Sequence, residues 1–259
     1  MATTSIRVAE TPLVLYALRR ADDALILSHR LSQWIGRGPT LEEEMAFGNF
    51  GLDLIGQARA LYAYAAAMEA AGHDEDDFAY LRDASQYRNL LLVEQPNGDF
   101  AVTMLRQLFY SAFADFYWRA MMTSRDATLA AIAAKSEKES AYHFSHAAEW
   151  VIRLGDGTAE SHARTETACE ALWPFTGEMF ESDAAERELC EAGVIIDPAS
   201  LRAPWRARLG EVFAAAGLAL PSPDRWMQRG GRSGRHSEHL GHLLAEMQIL
   251  PRSFPGAEW

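Results

Sequence analysis

Long runs of apolar residues at three- and four-residue spacing dominate this chain, and almost nothing alternates as a half-buried strand would. That property restricts the architecture to helix packed on helix. The first run extends from about Thr11 to Ile35, with Leu15, Leu18, Leu25, Leu27 and Leu31 at apolar positions, and Gly36, Gly38 and Pro39 close it. A second start follows at once. Thr40 is placed to cap and Glu43 stands three residues later, as in a capping box. This helix continues to about Ala71 through Gly48, Gly51 and Gly56. Each glycine weakens an isolated helix by about 1 kcal/mol relative to alanine, so three in one helix point to close approach of another backbone.

A short helix is expected over Asp77 to Asp83, after which EQPNGDF breaks the chain. A third long helix is predicted from about Phe100 to Met122. A fourth runs from about Ala127 to Leu154, capped by Asp126 and ended by GDGTAE. A fifth, from about Ala159 to Trp173, meets Pro174 and leaves a short continuation, Phe175 to Phe180. Two more helices are expected near Pro204 to Ala216 and Ser237 to Leu250, with PSPDRWMQRGGRSGR as a loop between them. Four long helices joined by short turns predict an all-α, up-down four-helix bundle with additional C-terminal helices. We expect one domain over residues 1–259, its core at about 11–154 and a helical extension at about 158–259. No repeat, low-complexity segment or long linker argues for a second.

Composition narrows the partners. A formal net charge of -12 repels phosphate backbones, so nucleic acid is not expected as a partner. The two cysteines, Cys169 and Cys190, form no disulfide framework, and a reduced, cytoplasmic setting is expected. MATTSIRVAETP has no basic patch followed by an apolar core, so no signal peptide is expected. The apolar run AFADFYWRAMM carries Asp115 and Arg119, and no stretch approaches the ~20 apolar residues of a membrane span.

A bundle with inward acids raises the question of a metal. Di-iron carboxylate bundles place a Glu on each of two helices and a Glu-x-x-His pair on each of the other two, so that carboxylate and imidazole reach one ion from one face. Here the helix midpoints fall near Asp22–Asp23, Asp53–Gln57, Phe109–Asp115 and Glu139–His143. The histidines do not match. None occurs between His29 and His73, Gly56 stands three residues after Asp53, and Tyr142 stands three residues after Glu139. His29 shares a face with Asp22 but offers a different geometry. KSEKESAYHFSH therefore carries Glu139 and His143 at i, i+4, with no histidine across from them.

Leu129, Ala133, Ser136, Ser140, His143, Ala147, Val151 and Leu154 form one stripe, which places His143 on or beside the buried face. A buried polar group left unpaired costs about 1–3 kcal/mol. The stronger reading is thus an internal hydrogen-bond network of Asp53, Gln57, Asp115, Glu139 and His143, with no metal. Elsewhere, HSEHLGH sets His236, His239 and His242 on a broad helix face with Glu246 one turn on. Zinc is one reading, and capping of the last helix is the stronger one. The loop arginines Arg225, Arg229, Arg232 and Arg235, beside Gly230, Gly231 and Gly234, form the one basic cluster. Arg229, Arg232 and Arg235 are candidate anion or partner contacts. No Gly-x-Ser-x-Gly elbow occurs and neither cysteine has a helper histidine nearby, so no catalytic nucleophile is expected.

Four blocks, NFGLDLIGQAR, NLLLVEQPNGDFAVTMLRQ, RDATLAAIAAKSEKESAYH and GRHSEHLGHLLAEMQ, together resemble the PaaC family, the structural subunits of bacterial phenylacetyl-CoA oxygenases, also called phenylacetyl-CoA epoxidases. The similarity runs from about Leu15 to Trp259. It implies a ferritin-like fold and a place in aerobic phenylacetate breakdown. It further implies that a related catalytic subunit holds the di-iron centre that forms the ring 1,2-epoxide, that a separate reductase delivers electrons from NADPH, and that this chain pairs with the catalytic subunit without binding iron. Asp53, Asp115, Glu139 and His143 would then fill a former metal cavity, and a homodimer is conceivable when the chain is alone. The alternative is a self-sufficient di-iron carboxylate oxygenase with Glu139 and His143 among its ligands.

Overall fold

The computed structural model describes residues 5–257. Residues 1–4, part of the stretch read as no signal peptide, and residues 258–259, where the family resemblance ends, lie outside the described residues. Among the described residues there are ten α-helices, five short 3-10 turns and no strand, so the all-α, ferritin-like class stands. The helices are α1 (Pro12–Ser32), α2 (Leu41–Glu69), α3 (Glu75–Tyr80), α4 (Leu91–Glu94), α5 (Phe100–Met121), α6 (Ala127–Gly155), α7 (Ala159–Leu172), α8 (Ala184–Glu191), α9 (Arg202–Ala215) and α10 (Glu238–Ser253). They divide between two compact units. One holds residues 5–37, 44–96 and 230–257; the other holds 38–43 and 97–229.

In the first unit, Thr11 caps α1 through its hydroxyl, which accepts from the Val14 amide at 3.3 Å, and Pro12 supplies a first residue that needs no donor. Residues Val14 to Leu31 of α1 are buried on nearly every side, including Arg19, Arg20, Asp22 and Asp23. The close approach expected of the α2 glycines occurs at Gly51, whose carbonyl accepts from Ser28 Oγ at 2.9 Å. An added Cβ there would stand 3.2 Å from Ser32 Oγ. At Gly48 an added Cβ meets nothing within 4 Å. The loop before α10 lies flush on residue 85. Gly234 has φ +74°, and a Cβ there would collide with the Ser85 carbonyl. Gln248 of α10 then donates to the carbonyls of Ala79 and Arg82 at 3.2 and 3.0 Å.

In the second unit, Asp99 caps α5 and Asp126 caps α6; the Asp126 carboxylate accepts from the Thr128 and Leu129 amides at 2.9 Å. The buried stripe predicted on α6 is present from Leu129 through Val151, and only Leu154 stands half-buried, replaced inside by Gly155. Gly155 is required because α9 ends against it: a Cβ there would run into the Ala216 carbonyl. An aromatic core completes the unit. Phe109 meets Trp173 edge-on at 5.6 Å, and Trp205 Nε1 donates to the Phe109 carbonyl at 3.0 Å.

Boundaries differ from the sequence reading where local signals are weak. α1 stops at Ser32 and the chain turns through Gly36 at φ +80°. α3 starts earlier than expected because Asp74 and Asp77 form a reciprocal capping box. α4 and α8, of four and eight residues, carry too little periodicity to be read in advance.

Candidate functional site

The chemically notable groups are the buried carboxylates of Asp22, Asp23, Glu94 and Asp115, which have cation or amide partners. In the first unit Asp22 of α1 is wholly buried. Arg82 binds both its oxygens, the Tyr62 hydroxyl donates to it at 2.6 Å, and the Arg88 amide donates at 2.7 Å. Arg82 is itself wholly buried and lies over the Tyr87 ring at 4.4 Å. Burial, then the Asp22 charge, push the Tyr62 hydroxyl well above the usual phenol range, so it keeps its proton for Asp22 while its oxygen accepts from Arg82 Nη2 at 3.1 Å.

One residue along, Asp23 accepts from Arg232 at 3.0 and 2.7 Å and from the Leu90 amide at 2.7 Å. Arg20 stands 3.7 Å away. Burial raises the Asp23 carboxyl above its ordinary value, and Arg232 and Arg20 pull it back only in part. Arg232 also donates to the Arg19 and Arg88 carbonyls at 3.1 and 2.7 Å, so the loop before α10 is nailed to α1.

Glu94 closes the third cluster. Its carboxylate accepts from Asn89 Nδ2 at 2.9 Å, His236 at 2.7 Å and the Ser237 amide at 2.6 Å. The other nitrogen of His236 lies 3.0 Å from the Tyr87 carbonyl. Burial lowers the His236 value, but the Glu94 carboxylate outweighs it and the net shift is upward. With a carboxylate against one nitrogen and a carbonyl against the other, His236 tethers the start of α10 to Glu94 and Tyr87.

In the second unit Asp115 of α5 binds Arg119 at 3.0 Å and Arg208. The Arg208 guanidinium lies over the rings of Phe116 and Phe144, at 3.9 and 4.7 Å. Arg119 continues to Glu137 at 3.0 Å. Glu139 is met by Lys135 at 3.5 Å, and His143 is buried on the inner face of α6. His146 approaches Glu43 at 3.0 Å. Glu43 is the residue placed at the third position of the α2 capping signal, where its amide is bound by Thr40 Oγ1 at 3.4 Å.

Of the residues singled out by spacing, Asp53 and Gln57 lie on α2 in the first unit, half-buried and buried. Asp115, Glu139 and His143 lie in the second. Of the loop arginines, Arg229 binds Glu181 at 2.8 Å, Arg232 is engaged by Asp23, Arg225 binds Glu170, and Arg235 is exposed. What spacing did not reveal is the set of counter-charges: Arg82, Arg208 and the pair Glu94–His236. An acid inside LLLVE is the one local sign of Glu94, since a charge in an apolar run must be buried with a partner.

The chemistry available is limited. Cys169 is buried, which pushes its thiol up to about 12, and burial also raises Cys190, so neither offers a thiolate. Among the described residues no group of three or more His, Cys, Asp or Glu side chains is placed to hold a metal ion. None of their helices is long and apolar enough to cross a membrane.

Comparison with known proteins now decides the family. The model of the phenylacetic acid catabolic protein family matches residues 1–259. The chain belongs to that family. A curated relative, the C subunit of the 1,2-phenylacetyl-CoA epoxidase of Escherichia coli (strain K12), is 47% identical over 250 residues, which cover 95% of this chain and 99% of the relative. The resemblance carried by the four sequence blocks stands. The match to the phenylacetic acid catabolic protein family spans Asp22, Asp23, Glu94, Asp115 and every arginine that neutralises them.

Proposed function

We infer that this chain is a subunit of a multicomponent 1,2-phenylacetyl-CoA epoxidase, serves phenylacetate catabolism, and acts as its structural member. It pairs with a related di-iron catalytic subunit and binds no iron itself. A separate reductase supplies electrons from NADPH, and the assembly works in the cytoplasm. The family membership and the relative's name support the role as a subunit.

One observation carries the structural role. The buried carboxylates that a di-iron bundle would aim at cations are here aimed at guanidinium groups: Asp22 at Arg82, Asp23 at Arg232, Asp115 at Arg119 and Arg208. A carboxylate already neutralised in a low-dielectric site has nothing to gain from iron and would lose a buried ion pair by releasing its arginine. Asp53 and Gln57 in the first unit and Asp115, Glu139 and His143 in the second are each read as polar groups that hold no metal. The rival reading, a self-sufficient di-iron oxygenase using Glu139 and His143, requires these groups to leave their present surroundings.

The test is elemental analysis of the purified chain, with oxygenase assays alone and with the catalytic subunit. We expect sub-stoichiometric iron, no activity alone, and a stable complex on co-expression. About two iron atoms per chain, lost in Glu139→Ala, would overturn the structural role.

A further inference from the structure

α2 is apolar on two opposite faces. Phe47, Phe50, Leu54 and Leu61 point inward and are at most 2% exposed. On the other side, about 200° round the helix at 100° per residue, stand Met45, Gly48, Leu52, Ile55 and Arg59. Met45 is 60% exposed, Leu52 69% and Ile55 42%. Their 3-4-3-4 spacing is that of a seam that receives a second helix, and Gly48 leaves an open dimple beside Leu52, where an added Cβ would touch nothing. Large apolar side chains left exposed in a row along one helix face mark an interaction surface.

The seam runs into a groove of about 280 Å³ at its C-terminal end. Ile55 and Arg59 form one wall, Tyr62 and Tyr80 the floor, and Glu75 and Asp76 the rim. The rim is a crowd of like charges. Burial, then Asp74 and Glu75, hold the Asp76 carboxyl above its ordinary value. Arg59, the one cation on the seam, is engaged by Glu75 at 3.0 Å.

We propose that this seam and groove are the docking surface for one helix of the catalytic subunit, a helix with apolar side chains at the same spacing and Lys or Arg at the end lying over α3. The proposal rests on the structural-subunit reading above. A second copy of this chain is a poorer occupant. Antiparallel pairing of two α2 seams brings Glu44 toward Arg59 and the Glu75–Asp76 rim, one cation among three acids, and parallel pairing brings rim to rim. A basic helix end relieves that crowding. Leu52 sits in the middle of the seam, where a well-packed apolar anchor contributes most to binding.

The test is affinity for the purified catalytic subunit, measured for wild type, Leu52→Arg, Glu75→Gln/Asp76→Asn and, as a control on an exposed side chain outside the seam, Trp226→Ala. The substituted side chains are exposed or line an open groove, and circular dichroism with thermal melting checks the fold. We expect Leu52→Arg to weaken binding by at least about tenfold, because it drives a charge into the apolar centre of the contact. The rim variant should weaken binding less and flatten its dependence on salt. Trp226→Ala should bind as wild type. Binding of Leu52→Arg within about twofold of wild type, with wild type binding normally, overturns the docking surface alone. Failure of wild type to bind overturns the structural-subunit reading and the surface with it. A wild-type homodimer that Leu52→Arg converts to monomer assigns the seam to a second copy and also overturns the proposal.

Discussion

Replacing Arg232 by methionine keeps most of the side-chain volume and removes the main counter-charge of Asp23. The carboxylate is wholly buried and its partner's side chain is only 13% exposed, so solvent does not replace the lost charge. Breaking a buried pair from one side costs about 3–5 kcal/mol. Two details bear on where the value falls. Arg20 at 3.7 Å and the Leu90 amide remain for Asp23, which lowers it. The Arg19 and Arg88 carbonyls lose their donor, which raises it, and α10 loses part of its anchorage. For a chain of this size such a loss lowers the thermal midpoint by roughly 6–20 °C. The effect has a pH signature. Burial already raises the Asp23 carboxyl, and loss of Arg232 raises it further. A carboxyl with a folded value above its unfolded value binds more protons in the folded state, so stability falls as pH rises through that window. The variant should therefore lag wild type more at pH 8 than at pH 5, as read by circular-dichroism melts. Adding Asp23→Leu should recover most of the loss, since an apolar pair can replace an ionic one. A midpoint within about 3 °C of wild type, or a deficit that grows as pH falls, would refute the reasoning.

Three further outcomes follow from the same structure. The raised value of His236 means that its tether to Glu94 contributes fully below the unfolded histidine value and is lost as pH rises through the folded one. The stability gap between wild type and His236→Asn should accordingly narrow from pH 6 to pH 9 in urea titrations. Gly155→Ala should destabilise the chain by about 1–3 kcal/mol, because its Cβ meets the Ala216 carbonyl, and a melt within experimental error of wild type would contradict that contact. Cys169, pushed up to about 12, should resist a thiol reagent at pH 8 until the protein unfolds; labelling of the native protein at the rate of a free thiol would show that the site is open.

The legible part of this fold is the part encoded over short distances. Asp126 caps α6 and the stripe from Leu129 to Val151 is buried because capping and helical period need only neighbouring residues. Glu139 and His143 could be judged unsuited to a Glu-x-x-His pair because spacing along one helix is also local. Long-range pairing was not legible. Arg82 and Asp22 are 60 residues apart, His236 and Glu94 are 142 apart, and Arg232 and Asp23 are 209 apart. A buried arginine has the same residue type as a solvated one, and only a partner brought from elsewhere in the chain makes its burial affordable.

Sequence by itself therefore determined the class of fold, the long helices and their caps, the family, and the mismatch of the histidines to a di-iron pattern. Tertiary structure alone decided where the charges go. It put guanidinium groups on Asp22, Asp23 and Asp115, made His236 a tether to Glu94 and drew Arg232 out of the basic loop. It also turned one face of α2 outward with Met45, Leu52 and Ile55 still bare. The physical reason is that helix formation is settled within a few turns, whereas the cost of burying a charge depends on everything folded around it.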